Sequence, residues 1–174
     1  MEKTSCLNEE VANSGKTVFK DFDDRFDKEK FVSSDCDGEL LLIVPFTAQV
    51  KVRSICVIAK SENKFPTKLR LYVNNENVDF SLVENEPVQE FIINQNLTGD
   101  LHNAVKVSKF SSVHKLIIHL VNPNEEIIEV SYIQIKGENT NIKRKAVQAV
   151  YELKSNAEKK DLKDLEKNPY QMGW

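Results

Sequence analysis

The feature that most constrains this chain is a series of short segments in which apolar and polar residues alternate. In residues 67–74, for example, Leu69, Leu71 and Val73 fall on one face. Alternation at every second position is typical of strands with one buried face, whereas an amphipathic helix repeats every 3.6 residues. The other strand-like segments are 39–46, 50–60, 88–93, 104–107, 113–121, 127–136 and 146–153.

Turn signals separate these segments, including the asparagine-rich residues 74–77, residues 122–124 and Gly137. No helical pattern of 10–15 residues lies between the strands, which argues against a parallel α/β sheet. Eight strands with this spacing predict an antiparallel β-sandwich, and the even count favours a jelly roll. Within residues 50–60, we expect Val50, Val52, Cys56 and Ile58 to share one face.

The two ends of the chain have a different pattern. Residues 21–27 interleave aromatic and acidic residues, and we expect a short helical turn or an irregular wrap with Phe22 and Phe26 packed into the core. Residues 157–167 are rich in Lys, Glu and Leu, and Pro169 should end any helix there. The sequence therefore predicts a sandwich domain over 1–153 and a helical, mobile tail over 154–174.

Composition and charge exclude several classes of function. The 174 residues fit one domain, and the net charge of −3 is too small for electrostatic capture of nucleic acid. The longest apolar run, residues 40–46, is far too short to span a membrane. Three cysteines without a C-x-x-C motif predict free thiols, which places the chain in the cytoplasm or nucleus. We expect it to be monomeric.

The residues that could support catalysis or bind a metal form no recognised arrangement. His114 and His119 are five positions apart on one predicted strand, so they point to opposite faces, and we expect both, like His102, to be solvated. The acids of 21–27 and 125–126 could hold calcium, although a solvated acidic surface is the favoured interpretation. No nucleophile or phosphate-loop motif is present. We therefore predict no enzyme, cofactor or metal.

The C-terminal tail contains the candidate partner-binding residues. It is mildly basic, and Tyr170, Met172 and Trp174 could anchor a partner through their large side chains. The alternative is that Trp174 folds back onto the sheet. The lysines that could steer the association are Lys159, Lys160 and Lys163.

Six stretches in order resemble the PITH domain family. They are CLNE at 6–9, SDCD followed by ELLLI at 34–43, PTKLRLYV with a later DF at 66–80, EPVQ at 86–89, VSKFSSV at 107–113, and SYI with a glycine at 131–137. The resemblance covers about residues 6–157. It implies a jelly-roll sandwich of the galactose-binding-like type and association with the proteasome, which gave the domain its name.

The resemblance also marks motif residues, which we interpret as structural: Cys6, Asn8, Asp35, Cys36 and Asp37. Carboxylates beside Cys36 should raise its pKa and make the thiol less reactive. A Cys6–Cys36 disulfide is an alternative to two unpaired core thiols. The resulting hypothesis is a non-catalytic domain that binds the proteasome or its regulatory particle. The alternatives are a module that recognises a glycan or small polar ligand in a loop cleft and, third, a redox partner.

Overall fold

The computed structural model describes the backbone of residues 3–143 and the side chains of residues 3–140. The predicted strand 146–153 and the predicted tail helix lie outside these residues. Within them, no helix is long and apolar enough to cross a membrane. The strands are β1 Ser5–Leu7, β2 Val32–Ser33, β3 Glu39–Ala59, β4 Lys68–Val73, β5 Gln89–Ile92, β6 Asn103–Ala104, β7 Val113–Val121 and β8 Glu129–Lys143; the 3-10 turns are Gly15–Val18, Phe22–Asp24 and Phe80–Glu84.

Strand β3 belongs to both layers of the sandwich. Its first half pairs with β1 and β7, and β7 continues through β4 to β5; its second half pairs with β6 and β8, and β8 pairs with β2. Every one of these pairings is antiparallel. The register shifts between Pro45 and Val50, where β3 passes from one layer to the other. The two strands predicted over 39–46 and 50–60 are therefore a single strand.

The core fills the space between the two layers. Leu69, Leu71 and Val73 pack into it from β4, which confirms the predicted alternation of that strand. Alternate residues of β7, the neighbouring strand in the same layer, also pack into the core. Residues of β8 pack against it from the other layer. Each fully buried aliphatic side chain contributes about 1.5–3 kcal/mol to folding. The other strand residues in this core include Leu40, Leu42, Val44, Val52, Ile55, Val57, Leu116, Ile118, Leu120, Val130 and Ile133.

The predicted alternation of residues 50–60 is wrong beyond Val52. Val52 pairs with Gly137 and Ser54 with Lys136, so β3 contains one extra residue there, which is a β-bulge. The bulge moves the core face onto Ile55, Val57 and Ala59. Gly137 lies inside β8 instead of at a turn. A Cβ atom on it would come within 2.5 Å of the Lys51 carbonyl oxygen, so the bulged backbone requires glycine.

The bulge leaves Cys56 and Ile58 on the outer face of their layer, where they form a second cluster with Tyr132. These side chains are still buried, because the connection between β5 and β6 folds over them. The tip of that connection, Gly99, accepts a hydrogen bond from Cys56 Sγ through its carbonyl oxygen at 3.5 Å. The long β5–β6 connection is thus a structural cover of this face of the sheet.

Candidate functional site

The family-motif residues near the N-terminus form a hydrogen-bonded junction. Asn8, in the left-handed conformation at φ 65°, donates through Nδ2 to Asp37 Oδ1 at 2.6 Å and to the Glu39 carbonyl oxygen at 2.7 Å. The Asp35 amide donates to the Asn8 carbonyl oxygen at 3.0 Å. These bonds connect the end of β1 to the turn that begins β3. The arrangement supports the structural interpretation of Asn8, Asp35 and Asp37.

The three cysteines are free thiols in this structure. Cys6 is buried, and burial raises its pKa far above the usual range. Cys36 is exposed, so its expected place in the core is wrong. The hydrogen bond to Asp35 and that carboxylate's charge raise the pKa of Cys36, as the acidic neighbours predict. Both thiols are therefore poor nucleophiles near neutral pH.

The prediction that all three histidines are solvated is also wrong. His119 is fully buried on the outer face of its layer, and its Nε2 lies 3.0 Å from Glu39 Oε2. Burial lowers the pKa of His119 more than the hydrogen bond to Glu39 raises it, which favours the neutral ring. His102 and His114 are only partly exposed. Among residues 3–140, no group of three His, Cys, Asp or Glu side chains could hold a metal ion.

An exposed aromatic pair stands on the turn at residues 22–26, and we call Phe22, Arg25 and Phe26 the aromatic patch. The two rings are 48% and 54% exposed, so the expectation that they pack into the core is wrong. The Arg25 guanidinium carbon lies 3.9 Å from one ring centroid and 4.2 Å from the other. Cation–π contact therefore holds two large apolar surfaces in place at the molecular surface.

A concave site lies under the β5–β6 connection, and we call it the loop pocket. Its cavity volume is about 150 Å³. Ile92 and Leu101, which are 81% and 51% exposed, form its lips. The residues that line it are Val57, Phe65, Ile92, Ile93, Asn94, Asn96, Leu101, His102 and Asn103. No sequence motif marks this site, because its residues come from separate segments of the chain.

The candidate residues of the tail lie outside the described residues. Tyr170, Met172, Trp174 and the three tail lysines therefore remain a prediction. The described part of the chain offers two surfaces of its own, the aromatic patch and the loop pocket. Neither of these two surfaces contains a nucleophile beside a general base.

Comparison with known proteins identifies relatives along nearly the whole chain. The family described as PITH domain matches residues 1–155. PITH domain-containing protein 1 of Homo sapiens is 41% identical over 148 residues, which are 84% of this chain and 70% of that protein. The protein of the same name from Mus musculus is 39% identical over 148 residues, with the same two shares covered.

Three solved structures with the same fold come from carbohydrate-related proteins. The C-terminal domain of a chitobiase from Bacteroides fragilis is 16% identical with a TM-score of 0.54, over 79% of this chain and 93% of that one. The family 32 carbohydrate-binding module of Clostridium perfringens NanJ, in complex with galactose, is 13% identical with a TM-score of 0.53, over 76% and 91%. A family 89 glycoside hydrolase of that organism matches 84% of this chain, which spans 15% of the enzyme, at 14% identity and a TM-score of 0.54. The predicted galactose-binding-like sandwich is confirmed.

Proposed function

The chain belongs to the PITH domain family, and from this premise we propose that it is a non-catalytic module that binds the proteasome or its regulatory particle. The family resemblance indicates the partner. The aromatic patch is the observation that supports protein binding. Aromatic rings and arginine are enriched among the residues that dominate protein interfaces, and large exposed apolar side chains mark such interfaces.

The surroundings of the aromatic patch indicate the chemistry of the partner surface. Asp21, Asp23 and Asp24 are exposed beside the rings. Arg25 already contacts both rings, and Lys20 is held by the carbonyl oxygens of Asp27 and Lys30. The patch is therefore an apolar centre with three acidic residues on its N-terminal side, while Lys28 and Lys30 are exposed on its C-terminal side. It suits a partner surface with an apolar depression and basic residues around it, an arrangement that steers association and excludes acidic surfaces.

The exposed free thiol of Cys36 fits a monomer that acts in the reducing cytoplasm or nucleus. The second candidate function, binding of a glycan, rests on the loop pocket. Sugar sites commonly stack a pyranose ring on an exposed aromatic face, but Phe65, the aromatic residue that lines this pocket, is 7% exposed. The aliphatic lips of the pocket favour a peptide over a sugar. Protein binding is therefore the function that the surface supports best.

The test is capture of purified 26S proteasome by the immobilised full-length chain. The variant Phe22→Ser/Phe26→Ser removes both rings, and we expect at least about tenfold weaker capture, the loss typical of an interface hot spot. Val11→Ser is the matched control, because Val11 is 64% exposed and lies outside the patch. Its capture should be unchanged, and both proteins should keep the wild-type melting temperature, since the rings are at the surface.

Deletion of residues 168–174 tests the predicted contribution of the tail in the same assay. If the tail binds the partner, deletion weakens capture without lowering the melting temperature by more than a degree or two. Full capture by the double phenylalanine variant would refute the aromatic patch as the docking surface. If the wild-type chain captures no proteasome at all, the proposed partner is wrong.

A further inference from the structure

A groove runs along one edge of β8, and we call it the β8 groove. It is lined by the four consecutive β8 residues 132–135 and, on the opposite side, by residues 19–22, and its volume is about 350 Å³. Successive residues of a strand point to opposite faces of the sheet, so a space that all four of them line lies along the edge of the strand and not on a face. The other edge of β8 is paired with β3.

The edge of β8 at the groove has no partner strand. Strand β2 pairs with Glu129 and Val130 on this side, and beyond them no other strand of the described chain continues the sheet. In an antiparallel pair, every second residue directs its N–H and C=O away from the partner strand. No loop or side-chain group within residues 3–140 hydrogen-bonds to the backbone of residues 132–136. A row of backbone groups of this kind is a template for another extended chain.

The two sides of the groove differ in polarity. On the inner side, Ile133 belongs to the main core, and Phe19 and Ile135 pack against that core. On the outer side are Asp21 and Phe22, which are both exposed and belong to the turn that carries Arg25. A strand added to β8 would direct its side chains alternately to these two sides. The groove therefore suits a segment in which aliphatic residues alternate with polar ones.

The charge of the outer side comes from Asp21. Lys20, the other charged residue that lines the groove, is held by the carbonyl oxygens of Asp27 and Lys30 and lies 3.5 Å from the Asp27 carboxylate. The Asp21 side chain makes no capping hydrogen bond to the turn that follows it, and it forms no ion pair in the described part of the chain. A free carboxylate at this position favours a basic residue on the outer side of an added strand.

We propose that the β8 groove binds an extended segment of a partner protein as an added strand, with aliphatic side chains toward Ile133 and Ile135 and basic side chains toward Asp21. This site deepens the proposed protein-binding function, on which it rests, and Phe22 joins it to the aromatic patch. Main-chain hydrogen bonds to β8 supply affinity, and the alternation of the two sides supplies selectivity.

The test uses a peptide on the isolated full-length chain, so it does not depend on the proteasome. The probe is the pentapeptide Val-Lys-Val-Lys-Val, acetylated and amidated at its ends. In ¹H–¹⁵N spectra we expect saturable shifts of the amides of residues 132–136, with a dissociation constant on the order of 1 mM for so short a peptide. The amides in this range that point away from β3 should also exchange more slowly with solvent. Val11→Ser, outside the groove, should bind as the wild type does.

Methylated probes distinguish strand pairing from side-chain contact. Methylation of the lysine amides and methylation of the valine amides remove donors from opposite edges of the peptide strand, because successive N–H groups alternate in direction. One edge of the peptide can pair with β8 at a time. We therefore expect one methylated probe to bind at least about tenfold more weakly than the parent peptide and the other to bind about equally well.

A charge reversal tests the outer side of the groove. Asp21→Lys should weaken binding of the lysine probe about three- to fivefold and strengthen binding of the analogue Val-Glu-Val-Glu-Val, as expected for an exposed ion pair. The melting temperature should not change, because Asp21 is exposed and caps nothing.

Four results would overturn the proposal. They are the absence of saturable shifts, equal effects of the two methylations, equal binding of the lysine probe to the wild type and Asp21→Lys, and dimers in sedimentation analysis whose β8 edge is protected without peptide. The last result would assign the edge to a second copy of this chain. A chain that binds the probe but captures no proteasome would refute the proposed partner and leave the strand-pairing site standing.

Discussion

Replacement of Asn96 by alanine should destabilise the domain more than any other change to an uncharged polar side chain of the β5–β6 connection. The side chain is 4% exposed and makes three hydrogen bonds, to the Gly99 amide, the Leu101 carbonyl oxygen and Cys56 Sγ. Alanine removes all three and leaves the buried Gly99 N–H and the partly buried Leu101 C=O without these partners. The outer cluster of Cys56, Ile58 and Tyr132 also loses the loop that covers it.

The magnitude follows from those contacts. A buried donor or acceptor left unpaired costs about 1–3 kcal/mol, so with one buried and one partly buried group affected the free energy of unfolding should fall by about 3 kcal/mol. For a domain of this size, 1 kcal/mol corresponds to roughly 2–4 °C, which gives a melting temperature lowered by about 6–12 °C. Asn96→Asp should cost more than alanine, because it keeps the acceptor, loses both N–H donors and buries a charge.

Thermal and urea unfolding followed by circular dichroism measures both quantities. Asn94→Ala is the matched control, because Asn94 belongs to the same loop and is exposed. It should change the free energy of unfolding by no more than about 0.5 kcal/mol. The reasoning fails if Asn96→Ala unfolds at the same midpoint as Asn94→Ala, or if aspartate is tolerated better than alanine.

Two further perturbations test the buried contacts. Burial lowers the pKa of His119 in the folded chain. Below about pH 6.5 the imidazole is therefore protonated in the unfolded chain and stays neutral in the folded one. The free energy of unfolding should thus fall as the pH decreases below about 6.5, by up to roughly 1.4 kcal/mol per pH unit. His119→Gln should weaken this pH dependence of the free energy of unfolding. The prediction is contradicted if urea unfolding at several pH values gives the same pH dependence for His119→Gln and the wild type. In Gly15→Ala, the new Cβ would lie 2.3 Å from Cys6 Cβ, so we expect the free energy of unfolding to fall by about 2 kcal/mol. Lys16→Ala, at an exposed position, should cause no loss. Equal urea midpoints for the two variants would disprove the steric overlap.

The strands could be predicted where one face is buried and the pairing is regular. Strand β7 has the predicted bounds, Val113–Val121, and β4 has the predicted faces. The prediction failed in β3, where one extra residue beyond Val52 reverses which side chains face the core. A bulge depends on the partner strand as well as on the strand itself. The signal that could have revealed it is Gly137, a glycine inside a strand pattern.

The candidate site was less predictable, because sequence periodicity does not show what covers an outward-facing residue. The alternation of β7 correctly puts His119 opposite the core, but the residue is buried there beside Glu39. Farther along that face, the 3-10 turn Phe80–Glu84 places Leu82 in an apolar cluster with Tyr72. Conversely, Phe22 and Phe26 are large apolar residues of the kind expected in a core, but they are exposed. Stacking on Arg25 stabilises them at the surface.

The β5–β6 connection joins the loop pocket to the aromatic patch. Gly99, at its tip, has φ +84°, and a Cβ there would lie 3.4 Å from Arg25 Cδ of the aromatic patch. Leu101, two residues later, forms a lip of the loop pocket. Because Asn96 holds both ends of this tip, its replacement should also change the position of the tip next to Arg25. Non-additive losses of proteasome capture between Asn96→Ala and Phe22→Ser/Phe26→Ser would then measure the energetic coupling of the loop to the aromatic patch.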